Sequence, residues 1–279
     1  MNSGPPEHQP EHPPESPLKG KVILVTRPAH QAAGMLQQLE QRAAKPLAFA
    51  SIEISAIEPD LLLKQRFNGL HEYDWLIFVS ANAVEYAALQ LDRLKIQAET
   101  IKNEIAVIGR ATQAVAEKAG FKVTLALKKG FNSEALLQHP AFQAAQLRGE
   151  KILIIRGVGG LAHLGDTLLL RGAKVDYAEV YRRAVPQQDV GIKRQQLSHN
   201  WSEMQINAIT VTSNESLQNL YDMLGVPGRE AMLKTCLIVP SRRCQQLAQA
   251  LGYQEVVVAE SALNEHILEA LNHAMMGKG

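Results

Sequence analysis

An α/β architecture in two similar lobes, each a parallel sheet flanked by helices, follows from three features of the 279-residue chain. Short, wholly apolar runs alternate with amphipathic stretches. The pattern repeats part-way along. The loops after the runs are filled with small polar residues and arginine. Wholly apolar strands between helices belong to parallel sheets covered on both faces, because each crossover lays a helix on the sheet.

The first seventeen residues hold six prolines and no large apolar side chain after Met1. Such a segment buries too little surface to offset its ordering entropy, and residues 1–17 are expected to form a disordered tail. From Lys21 onward the predicted strands are 22–25, 75–79, 105–108, 123–126, 151–155, 175–180, 208–211, 237–239 and 256–259. Each is a short run rich in Val, Ile and Leu. Helical periodicity fills 31–42, 83–94, 111–120, 133–138, 165–171, 215–224 and 242–251.

The repeat is visible at two offsets. Ile23-Leu24-Val25-Thr26-Arg27 matches Ile152-Leu153-Ile154-Ile155-Arg156, so that Arg27 falls on Arg156, 129 residues on. Ile77-Phe78-Val79-Ser80-Ala81-Asn82 matches Ile209-Thr210-Val211-Thr212-Ser213-Asn214, 132 residues on, and the same offset sets Arg110 on Arg242. Two α/β units of about 130 residues are the economical reading. Two lobes joined by extended connections leave a cleft, where ligands usually bind.

Composition narrows the function. With 29 basic and 28 acidic residues the formal charge is +1, which argues against a nucleic-acid coat. No apolar run reaches the ~18 residues of a membrane span, and no signal peptide opens the chain, so a cytoplasmic protein is expected. Cys236 and Cys244 fit neither a redox pair nor a zinc knuckle and read as reduced thiols. No histidine pair has metal-ligand spacing, and no metal site is expected.

In parallel α/β sheets, ligands sit at the carboxyl ends of the strands, where helix N-termini offer free N–H groups to anions. The loops there are Thr26-Arg27-Pro28, Ser80-Ala81-Asn82, Gly109-Arg110-Ala111-Thr112, Asn132-Ser133-Glu134, Arg156-Gly157-Val158-Gly159-Gly160, Thr212-Ser213-Asn214 and Pro240-Ser241-Arg242-Arg243. Each also has a structural explanation, since Ser, Thr and Asn cap helices and proline suits a first helical position. Together they line one edge of each sheet with anion-compatible groups, among which only Glu134 is acidic. Gly157–Ala162 also fits the GxGxxA dinucleotide fingerprint, although Arg156 precedes it and the first repeat has no matching glycines. No nucleophilic triad is visible, so an enzyme built this way works by positioning and hydrogen bonding.

The ordered series of loops resembles the uroporphyrinogen-III synthase family, in particular its bacterial members. The matching elements are Val25-Thr26-Arg27-Pro28, Phe78 to Val84, Ile108-Gly109-Arg110-Ala111-Thr112, Ser133 to Leu137, Leu153-Ile154-Ile155-Arg156-Gly157, Arg171-Gly172-Ala173, Val180-Tyr181-Arg182, Val211-Thr212-Ser213 and Pro240-Ser241. The last loop departs from the Gly-x-x-Thr-like turn of many members.

The resemblance implies two lobes joined by a two-stranded linker, with residues 18–51 and 184–277 in one lobe and 52–183 in the other. It implies a cofactor-free monomer acting on hydroxymethylbilane, a linear tetrapyrrole carrying carboxylates on every ring. Loss of the hydroxyl as water leaves an azafulvene cation on ring A. The far end attacks through the substituted carbon of ring D, and the spiro intermediate fragments and recloses with ring D inverted. Holding a floppy polyanion in one geometry is catalysis by orientation. The family's tyrosine in the Val-Tyr element marks Tyr181 as the group that helps water depart. Thr26, Arg27, Ser80, Asn82, Arg110, Thr112, Ser133, Arg156, Gly157, Thr212, Ser213 and Ser241 are the expected substrate contacts. Two other readings stay open on the residues alone: a non-catalytic two-lobed small-molecule binder, and a dinucleotide-dependent oxidoreductase using Gly157–Ala162.

Overall fold

The computed structural model describes residues 16–127, 132–186, 195, 197, 200, 201 and 203–276. Of the predicted tail, all but Ser16 and Pro17 lies outside these residues. The elements run β1 (Val22–Val25), α1 (Ala29–Glu40), β2 (Lys45–Ala48), β3 (Glu53–Ala56), α2 (Leu61–Asn68), β4 (Trp75–Phe78), α3 (Ala81–Arg93), β5 (Glu104–Val107) and α4 (Arg110–Lys118). They continue with β6 (Leu125–Ala126), α5 (Ser133–Gln138), α6 (Ala144–Leu147), β7 (Lys151–Gly157), α7 (His163–Leu170), β8 (Lys174–Ala184), β9 (Ile206–Thr210), α8 (Asn214–Leu233), β10 (Cys236–Val239), α9 (Arg242–Leu251), β11 (Val256–Val258) and α10 (Asn264–Met276). Helix α8 is broken at Gly225, whose φ of 61° is left-handed.

The chain divides into two compact units, Met1–Glu53 with Ala184–Gly279, and Ile54–Arg183. The first carries a five-stranded sheet in the order β11-β10-β9-β1-β2. The second carries the order β3-β8-β7-β4-β5-β6, with β3 beginning one residue upstream of it. Strand pairing is parallel from β2 to β11 in the first sheet and from β8 to β6 in the second. The segments that match in sequence take matching places: β1 and β2 correspond to β7 and β8, and β9, β10 and β11 to β4, β5 and β6.

The apolar strands are apolar on both faces because both faces are covered. In β4, Leu76 and Phe78 join one core and Ile77 the other. In β1, Leu24 packs on one side of the sheet and Ile23 and Val25 on the other. Each fully buried side chain of this size contributes about 1.5–3 kcal/mol, so these central strands anchor their units.

Strands β2 and β3 were not expected. Both lie at sheet edges. An edge strand needs no second ladder, which lets β2 keep Lys45 and Pro46 and lets β3 alternate instead of reading as an apolar run. Strand β8 is longer than predicted, and its pairing slips at one point. Arg156 faces Glu179 but Gly157 faces Tyr181, leaving Val180 as the extra residue of a bulge.

Each sheet has a point where strand order reverses, between β1 and β9 in one and between β7 and β4 in the other. At such a point the two neighbouring crossovers run to opposite faces, and a crevice opens at the carboxyl ends of the strands.

Candidate active site

The reversal between β4 and β7 holds a cavity of about 230 Å³. Its wall includes Ser80 after β4, Gly157 at the end of β7, Tyr181 and Arg183 on β8, and Ser133 at the head of α5. Ser80 is placed by helix capping. Its backbone is extended, and its Oγ accepts the Ala83 N–H at 3.1 Å, which satisfies one free donor of α3.

Tyr181 is placed by the bulge. Regular alternation would set its ring opposite Ala178 and Val180, yet all three belong to the same core. The extra residue re-aims the ring toward α3, where it stacks on Tyr86 with centroids 5.5 Å apart. The ring is only 2% exposed, while its hydroxyl oxygen lies 3.2 Å from Ser80 Oγ. Arg183 Nη2 donates to the same oxygen at 3.2 Å. Gly157 makes room for this ring: a methyl there would sit 2.6 Å from Cε2 and Cζ of Tyr181.

Arg156 is not a loose cation at the rim. Its Nη2 donates to Glu179 Oε1 at 3.0 Å, and its Nη1 to the Gly160 carbonyl at 3.1 Å. The guanidinium lies 3.9 Å from the centroid of the Tyr177 ring. Its buried Nε has no partner among the described residues. Glu179 therefore neutralises this rim. Glu134, the acid singled out in the sequence, instead lies 3.9 Å from His163 Nε2.

The other expected contacts divide. Thr26 is fully buried; its hydroxyl donates to the Thr210 carbonyl at 2.8 Å and lies 3.0 Å from Ser216 Oγ. Ser51 lies 2.7 Å from the same Ser216 oxygen. Thr26 thus closes the β1–β9 reversal with a polar network and does not fit a substrate contact. Thr112 is 4% exposed, and its hydroxyl goes to the Ile108 carbonyl at 2.6 Å, so it too is a structural hydroxyl.

Arg27 is half-buried and donates to the Ala262 carbonyl. Burial lowers its pKa from the ordinary arginine value. It lines a separate cavity of about 590 Å³ against Leu263 and Asn264. Ser213 and Ser241 cap α8 and α9 with the geometry of Ser80. The cap that corresponds to Ser80 is therefore Ser213 and not Thr212, so the second copy of this loop is one residue longer. Asn82 is half-buried in the first turn of α3, and Arg110 is exposed at the start of α4.

The family model described as uroporphyrinogen-III synthase HemD matches residues 34–269. The chain belongs to the uroporphyrinogen-III synthase family. The uroporphyrinogen-III synthase of Salmonella typhimurium is 35% identical over 251 residues, covering 89% of this chain and 99% of the relative. That of Escherichia coli K12 is 33% identical over 250 residues, with the same coverage. Among solved structures, the uroporphyrinogen III synthase of Thermus thermophilus, as a triple mutant, covers 92% of this chain and all of its own at a TM-score of 0.62 and 14% identity. That of Helicobacter pylori 26695 covers 90% and 98% at a TM-score of 0.58 and 17% identity. These two share the α/β fold with parallel sheets flanked by helices.

Membership of a uroporphyrinogen-III synthase family places the chain among cyclising lyases of porphyrin biosynthesis, ahead of the non-catalytic and dinucleotide readings. Among the described residues there is no group of three or more His, Cys, Asp or Glu that could hold a metal ion. No helix among them is long and apolar enough to cross a membrane.

Sequence reasoning missed Arg183 and Tyr86. The signal for Arg183 was present: residues 181 and 183 of a strand point to one face. Nothing local marks Tyr86, which meets Tyr181 only through the pairing of β4, β7 and β8.

Proposed function

We propose that this chain converts hydroxymethylbilane into uroporphyrinogen III, with Tyr181 assisting the departure of water from ring A. The observation that carries this reading is the Tyr181 hydroxyl, set between Ser80 and Arg183 in the wall of the cavity at the β4–β7 reversal. A cavity of about 230 Å³ is smaller than a drug-sized pocket and suits one end of a linear tetrapyrrole. The terminal pyrrole with its hydroxymethyl group is that end.

The phenol gives its proton to the leaving hydroxyl as the C–O bond breaks, and water departs. The pyrrole nitrogen donates its electron pair and the azafulvene cation remains. Ring D attacks through its substituted carbon, the spiro intermediate fragments, and reclosure at the unsubstituted position inverts the ring. The proton shed as the last pyrrole regains aromaticity returns to the Tyr181 oxygen, so one water is lost overall. Ser80 supplies a hydroxyl beside the phenol, and Ser133 with the N–H groups at the head of α3 offers donors to carboxylates. Arg27, Asn82, Arg110, Thr212, Ser213 and Ser241 are further carboxylate contacts in this proposal. The protein works as a monomer in the cytoplasm, a compartment in which the buried thiols of Cys236 and Cys244 stay reduced.

The test supplies hydroxymethylbilane and identifies the isomer formed. Spontaneous closure gives the symmetric type I ring, so type III product belongs to the enzyme. Tyr181→Phe keeps the stacked ring and removes one donor. General acid assistance is worth ~10²–10⁴-fold, and the pyrrole already activates this leaving group, so a loss of about a hundredfold or less is expected, with a larger type I share. A Phe variant with wild-type rate and isomer ratio would remove Tyr181 from the mechanism.

A further inference from the structure

We infer that Arg183 is a positioning residue for Tyr181, fixing which way its proton is given. This rests on the role proposed above for Tyr181. Arg183 stands two residues beyond it on β8, past the bulge, and both line the same cavity. Its Nη2 lies 3.2 Å from the Tyr181 oxygen, and its guanidinium carbon 5.6 Å from the ring centroid. The guanidinium thus lies over the ring and also reaches past it to donate to the hydroxyl.

A guanidinium only donates, whereas a phenol has one proton and can both donate and accept. With Arg183 donating, the Tyr181 oxygen is the acceptor in that contact, and its own proton must point elsewhere. Two directions remain: Ser80 Oγ at 3.2 Å, and a guest in the cavity. Ser80 already accepts from the Ala83 N–H, and that helix cap fixes where its oxygen sits. A phenol held only by Ser80 could rotate its proton either way. One held also by a guanidinium has a single productive orientation, with its proton toward the leaving hydroxyl. The same cation lies beside the oxygen while that proton is away, and lowers the energy of the charge that develops there.

The neighbouring arginine lacks this geometry. Arg182 leaves the strand on the opposite side and lines a different cavity with Arg66 and Tyr177.

Arg183→Gln and Arg183→Lys, each alone and combined with Tyr181→Phe, test the inference by kcat, KM, isomer ratio and melting temperature on hydroxymethylbilane. Arg183→Gln is expected to lower kcat roughly tenfold, the size of one charge-assisted hydrogen bond, with KM little changed and more type I product. Arg183→Lys keeps the charge and restores part of the rate. In the Tyr181→Phe background neither change should reduce kcat further, because the group it acts on is gone. A raised KM at unchanged kcat would overturn the inference, since Arg183 would then hold substrate directly. Losses that multiply in the double variant would overturn it as well. If Arg183→Gln melts far below the parent, the Lys variant in the same cycle decides. Tyr181→Phe at wild-type rate would sink both readings; Tyr181→Phe slowed, with a multiplying Arg183 effect, would sink this one alone.

Discussion

Gly157→Ala probes how Tyr181, the tyrosine of the proposed mechanism, is held. The φ of Gly157 lies outside the left-handed region, so the effect of a methyl is one of space and not of backbone strain. The added carbon would lie 2.6 Å from Cε2 and Cζ of Tyr181. Ordinary carbon contacts are about 3.5–4.0 Å, so the ring must retreat by about 1 Å. It is 2% exposed and stacked on Tyr86, so it cannot move freely. A shift of that size carries its hydroxyl from 3.2 Å to beyond hydrogen-bonding distance of Ser80 and Arg183. Overpacking of this kind costs about 1–3 kcal/mol. At about 2–4 °C per kcal/mol, Tm should fall by a few degrees to about ten. Turnover should fall as far as in Tyr181→Phe, with the same rise in type I product. Scanning calorimetry and isomer analysis on one preparation provide the assay. In a Tyr181→Ala background the methyl enters vacated space, and its extra cost should vanish. Gly157→Ala with parental Tm and parental isomer ratio would refute the argument that this glycine exists to seat the ring.

Thr26→Val keeps the shape and removes a buried hydroxyl that serves Thr210 and Ser216. It should cost about 1–3 kcal/mol in denaturant unfolding and leave kcat unchanged; the reverse pattern would return Thr26 to the substrate site. Tyr73, whose hydroxyl donates to Asp176 at 3.0 Å, has its pKa pushed up to about 12 by burial and then by that carboxylate. A raised value means the folded protein keeps a proton that the unfolded chain loses. The stabilising contribution is therefore whole below about pH 10 and is lost as pH rises through about 12. Tyr73→Phe should flatten that part of the Tm-against-pH curve, and an unaltered curve would show that Tyr73 does not titrate there.

Much of this was legible in the chain. The central strands announce themselves because both faces are buried, as Leu76-Ile77-Phe78 shows. Ser80, Ser133, Arg156 and Gly157 were chosen from their loops and Tyr181 from the family resemblance, and all five reach one cavity. What stayed hidden depends on pairing between distant segments. The slip that leaves Val180 bulged cannot be seen in Val-Tyr-Arg-Arg, yet it decides which face Tyr181 takes. Thr26 and Ser80 read alike, each a small hydroxyl after a strand. Ser51 and Ser216, far away in sequence, turn the first into a sealed contact. Arg156 and Glu179 are likewise separated by a whole crossover, so sequence inspection left the arginine looking free.

The pairing of β1 with β9 also has a consequence for the chain as it is made. Val25 lies against Thr210, and Val22–Val25 is central in its sheet. At roughly 5–20 residues per second, the ribosome takes roughly 10–40 s to pass from one to the other. Through that interval β1 and β2 have emerged, but one of the two neighbours of β1 does not yet exist. The unit from Ile54 to Arg183 is contiguous and is completed meanwhile. An apolar edge of the sequence Val-Ile-Leu-Val is thus left waiting for a partner, and such edges recruit foreign strands. The nascent protein should need chaperone protection at its beginning more than at its end, and slowed translation between residues 54 and 206 should lower its soluble yield.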